Sequence, residues 1–478
     1  MDAEFQGPRG RRLVGRPQWS AEVSARLPAN ALRALLVAGA VMAVAACTEV
    51  GPNYVRPAAP VPAAFKEASA QKAPHAESVI AGKWWEIYGD PTLNALVSQV
   101  AVSNQSLAAA AARVRQAQAL IEVAQGASVP SVTAGTLKSG RKNENDIGIG
   151  VSWELDLWGR IRRDVESHRA IAEASRDDLA AATLSMQAQL VQSYFALRQD
   201  DAVIDLLQQS ADANEQWHRM VGNQYAQGQA SSANVADATM KASAAQLQLA
   251  DTKAARAQLE HAIAVMLGKA PADFAIAPAA FIANVPDVPT GVPASLLERR
   301  PDVAASERRM AAASARIGVA KAETLPSINL AAGIGILKGP TGTADIRAPL
   351  FTGGRLTGQV TNADEAFNEA VANYRQTVLD AFREVEDGLV VTSTLAAHAE
   401  LQARAAKAAT ESDRVTRNQY KQGVADYPAV VESANAALDG VRGDMQLRLR
   451  RLDASVNLIM ALGGGWEPAS VRDPKSPR

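Results

Sequence analysis

The chain repeats one pattern of residues at a distance of 195 positions. Three pairs of segments keep this offset: Asn223–Gly228 with Asn418–Gly423, Trp158–Arg160 with Gly353–Arg355, and Leu267–Gly268 with Leu462–Gly463. Pro130 and Pro326, each followed by serine, lie one residue off that register. A nearly constant offset over so long a stretch indicates that one structural unit was duplicated whole. The function must therefore be built from two copies of that unit.

The composition favours long helices and argues against a nucleic-acid partner. Of 478 residues, 47% are hydrophobic but only 5% are aromatic. Alanine and long polar side chains dominate instead, which is typical of helices packed closely through small residues. The formal net charge is −1, whereas binding to nucleic acid calls for a basic surface. No disulfide can form within the chain, because it has one cysteine.

Residues 1–46 are predicted to be a signal peptide of the lipoprotein type. The apolar run that ends at Ala46 is too short to span a bilayer but has the length of a secretory signal core. The sequence Val44-Ala-Ala-Cys47 resembles a bacterial lipobox, in which the cysteine is acylated and becomes the mature N-terminus. The alternative is an ordinary signal peptide followed by a small buried cysteine. A covalent lipid such as palmitate on Cys47 is expected, and no other cofactor.

Proline and glycine divide the mature chain into five predicted segments. These are a lipid-anchored extended segment (47–82), a first repeat (83–268), a Pro-rich connector (269–293), a second repeat (294–465) and a flexible C-terminal tail (466–478). Each repeat begins with a helix, of about 35 residues in the first copy and about 25 in the second. A β-hairpin follows, at 131–158 or 327–353. A long helical hairpin, at 160–267 or 355–462, completes the repeat.

The long helices are predicted from the absence of glycine and proline and from a stripe of apolar residues. From Arg160 to Val221 there is neither glycine nor proline, so the helix would be about 93 Å long. Between Val360 and Leu389 the apolar spacings are 3, 4, 4, repeated. This eleven-residue period indicates a nearly straight helix, which suits the wall of a wide cylinder. The same stripe would form a core between neighbouring helices.

The first predicted hairpin alternates strictly between apolar and polar or small residues. In Ile147–Leu157 every odd position is apolar, and every even position is Gly, Ser, Glu or Asp. Such a strand could cover a soluble core, but the signal peptide favours a membrane, where Glu154 and Asp156 would face a pore. Polar turns are expected at 140–146 and 338–342. In lipid a sheet must close, and four strands are too few, so closure requires more than one chain.

Five motifs together resemble the TolC family of outer-membrane efflux proteins, and within it the lipoprotein branch (OprM/NodT-like). They are Trp84-Trp85 with Asp90-Pro-Thr-Leu, Glu154–Arg160, Leu297–Asp302, Phe351–Arg355 and the twin Gln-Tyr-x-Gln-Gly turns. The resemblance implies a mainly α fold with a small membrane β part. Duplicated long-helix hairpins would form a periplasmic α-barrel, and four strands per chain would contribute to a trimeric 12-stranded outer-membrane β-barrel. The hairpins are shorter than usual for that family, which puts sealing by outer loops in doubt.

The resemblance also implies partners and a location. The chain would be a homotrimer in the lipid of the outer membrane, anchored by its lipid and extending into the periplasm. It would dock to a periplasmic adaptor (membrane fusion) protein and an inner-membrane efflux transporter. The family's gate lies at the periplasmic helix tips, which here hold the turn residues Tyr225, Gly228, Tyr420 and Gly423.

Four residues after these turns are gate candidates: Asp426, Tyr427, Glu432 and Asp237. In a trimer each carboxylate becomes a ring of three like charges, which attracts cations at a constriction. Asp426 with Tyr427 is the favoured ring. For Asp237 and Glu432 the alternative is that they are solvated residues of a first helical turn, favoured by the helix dipole.

Other classes of function find less support in the sequence. The five histidines are scattered without metal-ligand spacing, and no phosphate loop or nucleophile arrangement occurs, so neither a catalytic nor a metal site is expected. A non-conducting periplasmic coiled-coil adaptor would not carry alternating strands between its hairpins. Within the channel class, the exit duct of a type I protein secretion system is the alternative to an efflux pump. Lipid attachment and the Glu298-Arg-Arg-Pro-Asp302 motif favour efflux of small molecules or drugs.

Overall fold

The computed structural model describes most of the chain after the predicted signal peptide. The described residues are 49–67, 82–138, 145–282, 284–288, 299–335 and 339–466. They belong to one compact unit that begins at Glu49. The signal peptide, Cys47 and nearly all of the predicted C-terminal tail lie outside these ranges.

Among the described residues, the first repeat contains a short 3₁₀-helix (Trp84–Tyr88), four α-helices and two strands. Helices α1 (Pro91–Ser103) and α2 (Gln105–Gly126) lead to strands β1 (Ser131–Lys138) and β2 (Asn145–Leu155). A very long helix, α3 (Arg160–Ala226), then runs away from the sheet, and α4 (Ser232–Met266) returns beside it. At about 1.5 Å per residue, the 67 residues of α3 extend about 100 Å.

From α2 onward, the second repeat matches the first element by element. It contains α5 (Pro301–Ala322), β3 (Ser327–Gly335), β4 (Gly339–Arg347), α6 (Arg355–Lys421) and α7 (Tyr427–Ala461). Both α2 and α5 have 22 residues, α3 and α6 have 67, and α4 and α7 have 35. The predicted mainly helical fold, with two hairpins and duplicated long helices, is confirmed.

The first helix of the first repeat differs from the prediction because it breaks at Asn104. The Asn104 carboxamide oxygen accepts a hydrogen bond from the Leu107 backbone N–H at 3.0 Å and so caps α2. Its nitrogen donates to the Met266 carbonyl at 2.8 Å, at the end of α4. The single helix of about 35 residues is therefore two helices, and only α2 has a counterpart in the second repeat.

The strands form one antiparallel sheet in the order β1-β2-β3-β4. The two hairpins meet through β2 and β3, where Val151 lies opposite Ala332 and Leu155 lies opposite Ile328. In the described part of the chain, β1 and β4 are the two edges of this sheet. The predicted turn at 338–342 is wrong in part, because β4 begins at Gly339. Likewise, Asn145 and Asp146 of the other predicted turn belong to β2.

The register sorts the side chains of all four strands onto two chemically different faces. Directly opposed residues of an antiparallel pair point to the same face. The apolar face carries Val132, Ala134, Ile147, Ile149, Val151, Trp153, Leu155, Ile328, Leu330, Ala332, Ile334, Ala344 and Ile346. The polar or small face carries Ser131, Thr133, Gly148, Gly150, Ser152, Glu154, Ser327, Asn329, Ala331, Gly333, Thr343, Asp345 and Arg347. The alternation predicted for one strand thus holds across the sheet.

The core lies between the helices rather than under the sheet. One cluster joins Trp84, Trp85 and Tyr88 to Tyr194 and Phe195 of α3. A second cluster contains part of the apolar stripe on α6: Tyr374, Val378, Phe382, Val385 and Leu389 are all buried. The predicted stripe is therefore core between neighbouring helices. No helix within the described ranges has both the length and the apolar character needed to cross a bilayer.

Residues 49–67 form an extended strap along the helices. The Val50 N–H donates to the Trp158 carbonyl at 3.0 Å, and the Tyr54 hydroxyl donates to the Glu307 carboxylate at 2.5 Å. Further along, Phe65 packs against Phe382. Near its start the strap passes so close to α5 that a Cβ on Gly51 would lie 2.5 Å from the Cα of Gly318. The strap thus begins beside the sheet and then runs along α6 from Tyr374 to Glu386, over about 18 Å.

Candidate functional site

The two turns at the helix tips have the same backbone geometry. Gly228 has φ 72° and Gly423 has φ 71°, a left-handed conformation that glycine adopts without the steric cost of a Cβ. The Gly228 N–H donates to the Tyr225 carbonyl at 2.9 Å, and the Gly423 N–H donates to the Tyr420 carbonyl at 3.0 Å. The repeated Gln-Tyr-x-Gln-Gly sequence therefore makes one tight turn twice, at the far ends of α3 and α6.

Asp426 occupies the N-cap of α7. Its carboxylate accepts a hydrogen bond from the Ala429 N–H at 3.1 Å, which satisfies one of the free donors at the start of that helix. The counterpart in the first repeat is Ser231, whose hydroxyl oxygen accepts from the Asn234 N–H at 3.2 Å. Asp426 remains exposed. The second tip thus carries a negative charge where the first carries a neutral hydroxyl.

Tyr427 joins the two helical hairpins to each other. Its ring stacks on Trp217 of α3, with centroids 5.0 Å apart and planes at 25°. Tyr420 meets it edge-on at 5.4 Å. Burial, with Tyr420 adding to the effect and Arg417 opposing it, raises the pKa of Tyr427. The hydroxyl is therefore uncharged at neutral pH.

We call these aromatic residues and their apolar neighbours the tip cluster: Trp217, Val221, Ala238, Tyr420, Tyr427 and Val431. Sequence reasoning did not find Trp217, because its counterpart in the second repeat is Ser412 and the counterpart of Tyr427 is Ser232. The sequence signal that could have found Trp217 is the difference between the two repeats at these positions. Two aromatic residues replace serines near the two tips, one in each repeat.

The other two gate candidates differ in their local charge. Asp237 forms an ion pair with Lys241, with the Lys241 Nζ 3.0 Å from the carboxylate. Glu432 is exposed, and the residue four positions on is Ala436, so this ion pair has no counterpart in the second repeat. The alternative that both are first-turn residues is wrong, since the first turns of α4 and α7 hold no acidic residue. Glu432 therefore presents the less compensated charge.

The two residues predicted to face the pore near the end of β2 are placed differently from one another. Glu154 lies on the polar face and binds the Arg160 guanidinium through both carboxylate oxygens, at 3.1 and 2.8 Å. Asp156 follows the end of β2, so its placement on the strand is wrong. Its carboxylate accepts from the N–H groups of Ile161 and Arg162 at 3.0 and 3.1 Å and so caps α3. Both carboxylates hold the junction between sheet and helix.

The Glu-Arg-Arg-Pro-Asp motif makes a buried charge clamp. Arg300 is 8% exposed and binds the Asp302 carboxylate through two nitrogens at 3.0 and 2.6 Å. It also donates to Glu384 of α6 at 2.6 Å and to the Ala461 carbonyl at the end of α7 at 3.1 Å. One guanidinium thus fixes the start of α5 to two other helices.

A cluster of charges joins α3, α5 and the strap. Glu307 of α5 accepts from Tyr54, and the neighbouring Arg308 reaches Glu173 of α3 at 3.3 Å. Burial raises the pKa of Asp177 to about 6, and the nearby Glu173, Asp178 and Glu307 carboxylates add to this while Arg308 opposes it. The stability of this charge cluster should therefore depend on pH.

We expect the Asp177→Asn variant to remove a pH-dependent destabilisation of the folded protein. A carboxyl group whose pKa is higher in the folded than in the unfolded state favours folding while protonated, and this contribution is lost as pH rises through about 6. The variant should melt about 2 °C higher than the parent at pH 7.5 and nearly level with it at pH 4.5. Helical circular dichroism in detergent measures both. Asp212→Asn, an exposed carboxylate on the same helix, should show no such difference.

The described residues present a two-faced sheet at one end and exposed carboxylates with packed aromatic rings at the helix tips. Within the described ranges, no group of three or more His, Cys, Asp or Glu side chains is arranged to hold a metal ion. The chemistry available at the tips is electrostatic attraction by exposed carboxylates and aromatic packing between the two helical hairpins. At the other end, the structure offers a sheet with one apolar face and one polar or small face.

Comparison with known proteins agrees with this geometry. The family model for the outer membrane efflux protein family matches the chain twice, at residues 96–269 and 292–464. The chain is 28% identical over 472 residues to the toluene efflux pump outer membrane protein TtgF of Pseudomonas putida, covering 90% of this chain and 96% of that protein. It is 26% identical to the probable outer membrane lipoprotein SilC of Salmonella typhimurium, over 90% of this chain and 98% of that one.

A solved structure shows the same fold. The outer-membrane channel OprN superposes with a TM-score of 0.78 at 28% identity, over 88% of this chain and all of that one. The two family matches are offset by 196 residues at their starts and by 195 at their ends. The internal repeat and the family boundaries therefore coincide.

Proposed function

The chain belongs to the outer membrane efflux protein family, and from this premise we propose that three copies form the exit duct of a tripartite efflux pump. The chain is a passive outer-membrane channel and not an enzyme. It extends from the outer membrane into the periplasm. The proposal adds the number of copies, the partners and the gate.

The single observation that carries the proposal is the two-faced sheet with two edges. In lipid, unpaired backbone N–H and C=O groups at a sheet edge find no water, so the edges at β1 and β4 must be paired. Three copies of a four-stranded sheet supply twelve strands, enough to enclose a water-filled lumen. The apolar face would then meet lipid and the polar face would line the pore.

The long helices would continue this pore as a periplasmic tunnel. Helices of about 100 Å exceed what any compact domain needs, whereas they suit the wall of a duct that reaches toward the inner membrane. The partners we propose are a periplasmic adaptor and an inner-membrane transporter that supplies energy. The toluene efflux name of one relative supports small molecules as the cargo, and we propose that the transporter selects among them.

We propose that the gate lies at the helix tips of the second repeat. Asp426, Tyr427 and Glu432 would form successive rings around the axis of the trimer. Asp237 is the weaker of the predicted candidates, because Lys241 already neutralises its charge. Three like charges on a narrow ring repel one another and attract cations, so neutralising them should change ion selectivity.

Reconstitution in planar bilayers tests the proposed duct. Purified full-length protein should have the mass of a trimer by light scattering and should conduct ions with a preference for cations. The double variant Asp426→Asn with Glu432→Gln should lose much of that preference while the trimer remains intact. A trimer without any conductance, in the parent and the variant alike, would contradict the assignment of the gate.

We also propose that Cys47 carries the lipid and that residues 1–46 are removed. The strap supports this, because Glu49, two residues after Cys47, already binds Arg162 beside the sheet at 3.4 Å. An acyl chain attached there would lie within reach of the membrane. The Cys47→Ser variant should lose all labelling by radioactive palmitate, while the parent is labelled. Labelling that persists in the variant would show that the lipobox interpretation is wrong.

A further inference from the structure

We propose that Leu350 and Phe351 of one copy pack against Val129 and Val132 of the next, with Ala348 paired directly opposite Ala134. This inference rests on the proposed trimer and adds the strand register between copies. It also adds the contact site formed by Val129 and Val132 of the next copy, which we call the seat of Leu350 and Phe351. Leu350 is 96% exposed and Phe351 is 92% exposed. Both follow β4, which is an edge of the sheet in the described structure.

The internal duplication supplies the rule that converts contacts within the chain into contacts between copies. Residues of α2 and β1 map onto α5 and β3 by adding 196, and residues from β2 to α4 map onto β4 to α7 by adding 195. The hairpin registers agree with this mapping, because the pair Ser131 and Ser152 becomes the observed pair Ser327 and Arg347. If successive repeats around a ring are equivalent, each contact of repeat 1 with repeat 2 recurs between repeat 2 and the next copy's repeat 1.

The strand register between copies follows from the pairing of β2 with β3. Trp153 lies opposite Leu330 within the chain. The mapping converts this pair into Ala348 opposite Ala134 of the next copy. Ala348 follows Ile346 by two residues, so in this register its side chain lies on the same apolar face as that of Ile346. Ala134 lies on the apolar face as well. A shift by one residue would place the polar face of one copy beside the apolar face of the next.

The seat for Leu350 and Phe351 follows from a contact made by Trp158. Within the chain, the Trp158 indole N–H donates to the Pro326 carbonyl at 2.7 Å, which joins one junction of sheet and helix to the corner between α5 and β3. The equivalent contact joins the junction after β4 to the corner between α2 and β1. The mapping places Gly353 where Trp158 stands, so the indole is absent and the adjacent apolar pair is free to replace it.

The corner between α2 and β1 is exposed and apolar, as this contact requires. Val129 is 58% exposed and Val132 is 67% exposed. Their counterparts in the second repeat, Leu325 and Ile328, are only partly exposed. Positions that are partly covered in the second repeat are therefore exposed at their counterparts in the first repeat. This is expected if a second copy covers Val129 and Val132.

The charges of the adjoining helices are complementary in the same arrangement. Arg309 of α5 binds Asp178 of α3 within the chain. The mapping places Arg113, on the α2 of the next copy, opposite Asn373 of α6, and Glu369 lies one helical turn from Asn373. Arg113 and Glu369 are both exposed. An arginine and a carboxylate thus face each other across the interface that joins β4 to the β1 of the next copy.

A disulfide between copies tests the register. The full-length variant Ala134→Cys with Ala348→Cys, purified and oxidised in detergent, should give covalently linked dimers and trimers on non-reducing gels. Directly opposed residues of neighbouring strands bring their Cβ atoms close enough for this bond. The matched control, Ala134→Cys with Arg347→Cys, shifts one cysteine by a single residue to the other face and should cross-link at least about tenfold less. The single variants Ala134→Cys and Ala348→Cys measure any cross-linking that involves Cys47.

The outcomes separate this register from the proposed trimer. Light scattering on the same samples gives the mass independently of cross-linking. A trimer that links equally well through both pairs, or only through the shifted pair, overturns the register and leaves the duct intact. A protein that is not a trimer overturns both. Leu350→Asp with Phe351→Asp, in which the β-hairpins keep their sequence, should shift the mass toward the monomer, and an undiminished trimer would overturn the seat.

Discussion

Replacing Arg300 with methionine is expected to destabilise the folded protein by about 3 kcal/mol, the low end of the cost of breaking a buried ion pair. Arg300 is buried and binds Asp302, Glu384 and the Ala461 carbonyl at once. Methionine fills similar space but donates no hydrogen bond. The low end applies because Asp302 and Glu384 are 40% and 43% exposed, so water can solvate them once the guanidinium is gone.

Thermal unfolding in detergent, followed by helical circular dichroism, measures this effect. We expect the melting temperature of Arg300→Met to fall by at least about 5 °C. The melting temperature of Arg300→Lys should lie between those of Arg300→Met and the parent, because lysine keeps the charge but loses the planar donors that bind Asp302. Arg309→Met is the matched control, since the pair of Arg309 with Asp178 is about half exposed and such pairs contribute little. An equal loss of stability in both variants would contradict a special role for Arg300.

Much of the fold could be predicted because it depends on periodicity. The alternation at Ile147–Leu157 and the absence of glycine and proline after Arg160 are local signals. The 195-residue offset then transfers each prediction to the second repeat. The break at Asn104 was missed because asparagine in an alanine-rich helix does not by itself stop it. Its role as a cap depends on the end of α4, which is distant in the sequence.

The candidate site was less predictable than the fold, because long-range contacts determine it. Asp426 could be found from its place after the turn, yet its use as an N-cap is visible only in the structure. Trp217 and Tyr427 are 210 residues apart, and no spacing rule relates them. Asp156 was misplaced because strand alternation continues for two residues past the last ladder pair, where the carboxylate turns to cap α3 instead.

The two repeats differ in chemistry at both ends of their long helices. At the sheet, Asp156 caps α3, while its counterpart is the exposed Phe351. At the tips, Ser231 and Ser232 correspond to Asp426 and Tyr427. A duct built from equivalent repeats would have a uniform wall, so residues that differ between repeats mark where the ring is joined and where it closes. The first difference supports the seat between copies, and the second supports a gate in the second repeat.

The second large effect concerns closure at the tips, where Trp217→Ala should open the channel. Trp217 is 7% exposed and is the side chain through which α3 contacts Tyr427 of the other hairpin. Removing a buried tryptophan costs about 3–5 kcal/mol. If this packing holds the second tip closed, then a loss of even about 1.4 kcal/mol shifts the balance between closed and open states tenfold. We therefore expect the mean conductance in planar bilayers to rise at least about tenfold.

Tyr225→Ala separates this explanation from general loosening of the tips. Tyr225 is the counterpart of Tyr420 in the first repeat, and it is 52% exposed. Tyr420 instead meets Tyr427 within the tip cluster. Truncating Tyr225 should leave conductance unchanged, whereas Tyr420→Ala should raise it by less than Trp217→Ala, since an edge-on contact is lost rather than a buried indole. Equal conductance in all three variants would contradict aromatic closure. In that case the carboxylates of Asp426 and Glu432 would remain the only barrier among the proposed gate residues.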